Sequence, residues 1–335
     1  MFLTLHFPQD KRLRKMHPLF KKNRRRKVSQ VAQASIQSLE NRRLLTGDVS
    51  VELSSADSRD LQITGDGSSN QIIVEEIAVD RIRVSGRDGT RVNGGNSATF
   101  TVRDDVRIDM NGGNDTVTVR NLNLDNYSHS DLSINLGTGN DTLVVDSTDL
   151  GDDLDVVAGH GNDDIDVLET TASDVRIDGE YGDDEVFLDE LAARASVSVD
   201  TGEDDDTVSV YDSNIGNDLI ITTDAGQDDA IVHSTDVADD ISINTGSNND
   251  YVAVDRSNAD DITIQSGSGA DTVYVYYNDV ADRLYASLGS GNDELIFWAN
   301  DVGRHYFNGG TGQDTWRNPT MLDYFWTWSN FYNFE

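Results

Sequence analysis

A short aspartate-containing stretch returns ten times along this chain at nearly constant spacing. Its clearest form is LGTGNDTLVV, residues 136–145, and successive marker aspartates stand 21 to 26 residues apart. So steady a period, held across two thirds of the chain, is typical of a solenoid in which each repeat forms one coil. The markers are Asp115, Asp141, Asp163, Asp184, Asp206, Asp229, Asp250, Asp271, Asp293 and Asp314.

The residues that flank each marker alternate in hydropathy. Apolar side chains fill the second and fourth positions after it, as in Leu143 and Val145, and a second alternating run leads into the next marker. Alternation with period two predicts strands. Between the two strands lies a polar bend, such as residues 237–240, that offers a short third face. We therefore predict an all-β fold, a parallel β-helix or β-roll solenoid with one coil per 21 to 23 residues.

The first copies are degenerate. GDGSSN at residues 65–70 and VNGGNSATFTV at residues 92–102 resemble the turn, and Asn70 stands 45 residues before Asp115, close to two periods. Terminal repeats are commonly atypical. Counting these copies predicts about twelve coils.

Charge divides the 335 residues into unlike regions. Residues 1–47 hold 12 Lys and Arg against 2 acids, net +10, whereas residues 48–335 hold 14 Arg against 59 acids, net 14 − 59 = −45. We predict a basic N-terminal segment (1–47), disordered apart from one short helix, a repeat domain (48–316) and an aromatic cap (317–335). Cysteine is absent, which excludes disulfides and thiol catalysis. No apolar run approaches the ~18 residues of a membrane span.

The N-terminal segment carries an export-like pattern. A basic run at residues 11–27 precedes residues 28–39, where apolar residues recur at helical spacing, and then Leu39-Glu40-Asn41-Arg42-Arg43-Leu44-Leu45. This order resembles the LEPR-XLL motif at the N-termini of large exported bacterial surface proteins, with Asn41 in place of the motif's Pro. The resemblance implies an extracellular or cell-surface location. The run of charges alone also fits a nucleic-acid-binding arm, which the acidic body opposes.

The turns resemble the calcium-binding nonapeptide of the hemolysin-type, or repeats-in-toxin, family, whose pattern is Gly-Gly-x-Gly-x-Asp-x-hydrophobic-x. The best copies are GTGNDTL, GHGNDDI, GSGADTV and GSGNDEL, which begin at residues 137, 159, 267 and 289. In that family, stacked turns hold Ca²⁺ between backbone carbonyls and Asp carboxylates. The resemblance implies calcium as the cofactor and the ten marker aspartates as its ligands. Here the copies recur every 21 to 23 residues instead of every nine, so they line one side of the coil.

Electrostatics gives a separate argument for a cation. Ten carboxylates stacked at ~4.8 Å repel by about 0.9 kcal/mol per pair in water and about 3.5 kcal/mol at an effective dielectric of 20. Either the side chains bond turn amides or hard cations lie between them. Oxygen-only ligands favour Ca²⁺ over zinc or copper. The alternative is an Asx-turn ladder without an ion.

Several other residues are candidates for a functional role, but their patterns indicate a function less specifically than the turns do. His233, at the inward fourth place after Asp229, is expected to be a core residue. The tyrosines at positions 274, 276 and 277 fit strand preference or sugar binding, and Tyr251 is placed to stack one coil below. Asp282-Arg283 marks where a lyase on this fold could place a base, but the repeat continues through it. The aromatics of residues 317–335 fit a cap, or a docking patch for a partner.

These observations favour a secreted or cell-surface, acidic, calcium-binding repeat protein with a structural or adhesive role and no enzymatic activity. Its predicted partners are calcium ions and a cell-surface polysaccharide or protein, with no nucleic acid. The alternative is a β-helical polysaccharide-binding protein or polysaccharide lyase.

Overall fold

The computed structural model describes residues 47–54, 60–125 and 130–317, together with the backbone of residues 330–332. Chain contacts divide the protein into two units, Met1–Leu44 and Leu45–Glu335, and every described residue belongs to the second. The predicted basic segment, its helix and nearly all of the aromatic cap lie outside the described residues. No helix in the part that the structure describes is long and apolar enough to cross a membrane.

Strands are the only regular secondary structure among the described residues. The N-terminal part contains β1 (Asp48–Leu53), β2 (Leu61–Thr64), β3 (Gln71–Ala78), β4 (Arg81–Gly86), β5 (Arg91–Val92), β6 (Ser97–Thr101) and β7 (Val106–Asp109).

The regular coils follow in chain order. Their strands are β8 (Thr116–Arg120), β9 (Leu132–Thr138), β10 (Thr142–Asp146), β11 (Leu154–His160), β12 (Asp164–Leu168), β13 (Thr171–Ala172), β14 (Val175–Tyr181), β15 (Glu185–Asp189), β16 (Ala192–Ala193), β17 (Val197–Asp200), β18 (Thr207–Tyr211), β19 (Asn214–Ile215), β20 (Leu219–Thr222), β21 (Asp229–His233), β22 (Asp236–Val237), β23 (Asp240–Asn244), β24 (Tyr251–Asp255), β25 (Asn258–Gln265), β26 (Thr272–Tyr276), β27 (Asp279–Ser287), β28 (Glu294–Trp298), β29 (Asp301–Asn308), β30 (Thr315–Arg317) and β31 (Asn330–Tyr332).

One wall of the solenoid, sheet 1, is built from the strand that follows each marker. Its strands pair in parallel and in register, so that Leu143 lies beside Val117 on one side and Ile165 on the other. The second and fourth positions after the marker are buried, as predicted, in the coils from Asp115 to Asp206 and from Asp250 to Asp293. The β-branched and leucine side chains there form a continuous inner row, which is what a parallel stack needs because each strand buries only one face against the core.

The opposite wall, sheet 2, consists of the longer strands that lead into each turn, such as β9, β11 and β14. Its inward side chains, among them Leu132 and Val156, complete a single core. The short third face is present as a ladder of two-residue strands, β13, β16, β19 and β22. The predicted parallel solenoid is confirmed.

The count of twelve coils is wrong. Between β8 and β30 nine successive parallel pairings link the described strands of sheet 1, giving about nine turns. The stretch before Asp115 does not coil twice, because β3 pairs directly with β8. The intervening residues form an antiparallel meander of β3, β4 and β6. The turn-like residues 92–102 therefore belong to this meander, which continues sheet 1 beyond its first coil.

A left-handed corner follows each sheet 1 strand that comes after a marker, from β8 to β28. Nine stacked residues, one per coil, have φ between 45° and 60°. A hydroxyl or amide in the next position caps the strand in several coils, as where the Thr170 hydroxyl donates to the Leu168 carbonyl at 2.8 Å. The nine residues are Asn121, Ser147, Glu169, Glu190, Asp212, Ser234, Arg256, Tyr277 and Ala299.

Candidate functional site

A continuous ladder of aspartates runs along the turns at the end of sheet 2. The backbone N–H of Asp141 donates to Oδ1 of Asp163 in the next coil at 2.7 Å, and the Asp163 N–H donates to Oδ1 of Asp184 at 2.8 Å. Ten such bonds, 2.6 to 3.1 Å long, link Asn70 through to Asp314. We call this row the Asp ladder. Its aspartates are Asp115, Asp141, Asp163, Asp184, Asp206, Asp228, Asp250, Asp271, Asp293 and Asp314.

Nine of the ten marker residues identified from the sequence occupy the ladder, and the tenth is displaced by one. Asp228, fully buried, takes the place assigned to Asp229. Asp229 is instead the first residue of β21 and pairs with Thr207 and Tyr251. The spacing explains the shift, because Asp228 lies 22 residues from both Asp206 and Asp250. Ala230 and Val232 consequently face the core.

The second carboxylate oxygen of the ladder points inward. Among the described residues, Oδ2 of Asp141, Asp163, Asp184 and Asp293 is buried and has no hydrogen-bond partner. Burial raises the pKa of Asp141 to about 6 and that of Asp184 to about 8, with the neighbouring ladder carboxylates adding to the rise. A buried carboxylate oxygen without a donor is costly in its charged form. The ladder therefore requires either a proton or a cation at this oxygen.

Desolvation by burial raises the carboxyl pKa along most of the ladder. It reaches about 6 for Asp228 and Asp293 and about 7 for Asp115, Asp206 and Asp250, and it also rises for Asp163 and Asp271.

Glycine shapes the turn that carries the ladder. Gly161 has φ 131°, and a Cβ there would lie 1.8 Å from the carbonyl oxygen of Gly139 in the preceding coil. Only glycine permits so close a stack of main chains. Within the described chain, no donor reaches the carbonyl oxygens of Gly139 and Asn140. One complete turn thus offers two unengaged carbonyl oxygens and one unengaged carboxylate oxygen, a donor set of the hard type that Ca²⁺ prefers.

An outer ladder runs beside the Asp ladder with the opposite polarity. The N–H of Asn140 donates back to Oδ1 of Asn114 at 3.2 Å, and the N–H of Gln227 donates back to Oδ1 of Asp205 at 2.8 Å. Since this row is exposed, its side chains bond turn amides without the cost of burial. In such a turn the N–H of the ladder aspartate donates to a side chain of the following coil, as from Asp141 to Asp163. The N–H of the residue before it donates to a side chain of the preceding coil, as from Asn140 to Asn114.

A further acidic row, not predicted from the sequence, lines the bend before sheet 2. Asp153 accepts the N–H of Asp174 at 2.9 Å, and the same pattern joins Asp240 to Asp261 at 3.1 Å. Paired acids such as residues 152–153, 239–240 and 260–261 were its signal in the sequence. At the N-terminal end Asp60, Asp104 and Asp105 bring their carboxylates within 4.8 Å of one another. Arg107 forms ion pairs with Asp60 and Asp105.

The remaining sequence candidates have other roles. His233 lies on the outer side of sheet 1, not in the core, because the marker of its coil is Asp228; its Nδ1 is 2.6 Å from Oδ1 of Asp255. Tyr251 and Tyr274 are neighbours as predicted, with ring centroids 5.5 Å apart.

The Asp282-Arg283 pair is exposed and engaged in ion pairs between coils. Asp282 pairs with Arg304, and Arg283 pairs with Asp261. Contrary to the expectation of an uninterrupted repeat, the register shifts by one residue between Val280 and Arg283. The bulge leaves both side chains outside the core.

Comparison with known proteins gives little for this chain. No family model matches it, and no curated protein matches it. One solved structure does, that of a hyperactive, Ca²⁺-dependent, β-helical antifreeze protein from an Antarctic bacterium, with 20% sequence identity over 79% of this chain and 86% of that chain and a TM-score of 0.39. That likeness is too distant to support an argument about function, which has to come from the turn itself.

Proposed function

We propose that this protein is an exported, calcium-binding β-solenoid with a structural or adhesive role and without catalytic activity. The observation that carries the proposal is the inward oxygen of the Asp ladder, buried and without a donor at Asp141, Asp163 and Asp184. Interiors seldom leave such atoms unsatisfied. A divalent cation would supply the contact that the inward oxygen lacks and would offset the repulsion between successive carboxylates.

The residues that would hold the ion are those of the turn. Oδ2 of the ladder aspartate would be joined by the two carbonyl oxygens that precede it in sequence, for example those of Gly139 and Asn140 next to Asp141. Calcium takes six to eight oxygen ligands in flexible geometry, and neutral carbonyls with one carboxylate per coil suit it better than a transition metal. The ion would act as a staple between coils, in a protein that contains no disulfide.

An extracellular location is supported by the LEPR-XLL-like pattern of the N-terminal segment. Adhesion through sugar-binding aromatics is favoured less by the structure. Tyr276 and Trp298 are only 7% and 9% exposed, whereas Tyr277 is 40% exposed. A structural role for the solenoid accounts for more of the described residues.

Thermal unfolding tests the proposal. We expect the melting temperature of the full-length protein to rise in millimolar calcium chloride relative to EGTA, because an ion bound to the folded state at 100 times its Kd stabilises it by about 2.7 kcal/mol per site. Magnesium chloride at equal ionic strength serves as the control, since Mg²⁺ demands a stricter geometry. Identical melting in calcium and in EGTA would refute calcium binding.

A further inference from the structure

The position five residues before each ladder aspartate divides the coils into two classes. Its side chain contacts the inward oxygen, since a Cβ built on Gly179 would lie 2.5 Å from Oδ2 of Asp184. We call it the backing position. Along the ladder it is occupied by Met110, Leu136, Ala158, Gly179, Thr201, Thr223, Thr245, Ser266, Leu288 and Gly309.

Four consecutive coils have a hydroxyl at the backing position. The Thr223 hydroxyl donates to Oδ2 of Asp228 at 2.8 Å. In the neighbouring coils Thr201, Thr245 and Ser266 hold the same place close to their carboxylates. Among the described residues, Oδ2 of Asp206, Asp250 and Asp271 has no hydrogen-bond partner. The Thr245 and Ser266 hydroxyls donate to the carbonyls of Ser266 and Leu288, at 3.5 and 3.1 Å. All four hydroxyl-bearing residues are buried. A change of side-chain rotamer would be needed to turn the hydroxyls of Thr201, Thr245 and Ser266 towards their carboxylates.

The remaining coils have no such donor. Leu136, Ala158 and Leu288 are apolar, and glycine fills the position before Asp184 and Asp314. Oδ2 of Asp141, Asp163, Asp184, Asp293 and Asp314 is buried without a partner. A charged carboxylate that lies against an apolar side chain or a glycine has no protein donor to replace the hydrogen bonds it would make with water.

The turn backbone also differs in part of the hydroxyl class, which is a separate observation. The coils without a hydroxyl keep glycine two residues before the aspartate in every case, with φ from 117° to 150°. In the hydroxyl class that place is taken by Asp204, by Gly226 without a left-handed φ, by Asn248 and by Gly269. Asp204 and Asn248 therefore replace the glycine in two of these four coils, whereas Gly226 and Gly269 stack closely on the carbonyls of Asp204 and Asn248.

Resting on the proposed calcium binding, we propose that the cation sites form two separate blocks. One block comprises the coils of Asp115, Asp141, Asp163 and Asp184, and the other those of Asp293 and Asp314. In the four coils between them a buried hydroxyl takes the place of the ion, as the Thr223 hydroxyl does at Asp228 and as those of Thr201, Thr245 and Ser266 would after a change of rotamer. The solenoid is thus stapled by calcium at both ends of its regular part and by hydrogen bonds in its middle.

Hydrogen exchange read by mass spectrometry tests this division on the full-length protein, in calcium chloride and in EGTA. The ladder amides report directly, because each donates to a ladder carboxylate. We expect EGTA to accelerate exchange at Asp115, Asp141 and Asp163 while leaving Asp206 and Asp228 unchanged. A calcium response spread evenly over all coils, or confined to the middle coils, overturns the two-block division but leaves calcium binding standing. No response in any coil overturns both.

A paired substitution gives a second measurement. Ala158→Ser supplies a hydroxyl behind Asp163, so we expect the calcium-dependent protection of the Asp141 amide to weaken about fivefold, the factor that about one net hydrogen bond provides. Ala172→Ser buries the same hydroxyl in the short ladder of strands and should leave that protection unchanged. An undiminished response in the Ala158→Ser protein contradicts the replacement of the ion by a hydroxyl.

Discussion

The backbone N–H of Asp115 donates to Oδ1 of Asp141 at 2.6 Å, although 26 residues separate the two in the chain. The bond shows that the ladder carboxylate has two tasks. One oxygen closes the hydrogen bonding of the preceding coil, and the other is left for a proton or a cation. Substitutions that separate these tasks are the most informative.

Asp141→Asn keeps a carbonyl oxygen for the Asp115 amide and removes the charge. In EGTA at pH 8 we expect its melting temperature to equal or exceed that of the wild type, because a buried charge and its repulsion from Asp163 are gone. In calcium it should melt below the wild type, because a ligand is lost. The exposed Asp239→Asn variant is the control and should respond to calcium as the wild type does. Equal behaviour of the two variants would indicate diffuse binding to the acidic surface.

Asp141→Ala is a harsher test than the sequence alone suggests. It leaves the buried Asp115 N–H without an acceptor, at a cost of about 1 to 3 kcal/mol whether or not calcium is present. We therefore expect lower stability in EGTA as well as in calcium, measured by denaturant unfolding. A loss seen in calcium only would show that another group accepts this hydrogen bond.

The pH dependence of stability follows from the raised pKa values. The pKa of Asp184 rises from an ordinary 3.8 to about 8 in the fold, and that of Asp206 to about 7. A raised pKa means that the folded state favours the protonated form, so this contribution is complete below pH 4 and is lost as the pH rises towards 8. In EGTA we expect stability to fall across that window by on the order of a few kcal/mol. Saturating calcium should flatten the curve, and unfolding at a series of pH values decides the matter.

The left-handed corner after sheet 1 offers a stabilising substitution. Ala299 is exposed and has φ 54°, a conformation that costs an L-residue roughly 1 to 2 kcal/mol. We expect Ala299→Gly to stabilise the protein by up to about 1 kcal/mol. Ala238→Gly, at an exposed bend residue without positive φ, should instead cost about 0.4 to 1 kcal/mol. Chemical denaturation of both variants checks the contrast, and a loss in both would show that the corner is unstrained.

Glycine in the turn should not tolerate replacement. A Cβ at Gly161 meets a backbone oxygen at 1.8 Å, so we expect Gly161→Ala to cost roughly 2 to 5 kcal/mol from backbone strain and overpacking together. Gly67→Ala has open space around the new methyl group and is the matched control. Similar unfolding midpoints for the two variants would contradict the close stacking of the turns.

Much of this architecture could be predicted because each coil needs the same type of residue at the same position, so the pattern recurs in the sequence. The inner rows that include Val117 and Leu143 appear in the sequence as plain alternation. The assignment of Asp229 to the ladder was wrong by one residue. Asp228 and Asp229 both fit the sequence pattern of the turn, and only the regular spacing of 22 residues distinguishes them. The prediction of extra coils before Asp115 was wrong because the glycine and asparagine of residues 92–102 are as common in antiparallel hairpin turns as in the turns of a solenoid.

Two features of the structure could not be predicted from the sequence. The left-handed corner is occupied by residues as unlike as Glu169, Tyr277 and Ala299, because the parallel stack imposes its conformation whatever the side chain. The backing position was visible only as the end of an apolar run. Its contact with the carboxylate depends on how the turn folds back, which spacing alone does not reveal.

The antiparallel meander also constrains how a protein of this kind can change length over evolutionary time. It pairs β3 with β4 on the side away from β8, so a newly duplicated coil could not be appended there without losing that pairing. In this part of the solenoid, extra coils would have to enter between existing ones as complete copies. A unit of about 22 residues restores every ladder at once, whereas a single inserted residue interrupts several. Relatives of this chain should therefore differ by complete coils and share the same N-terminal closure.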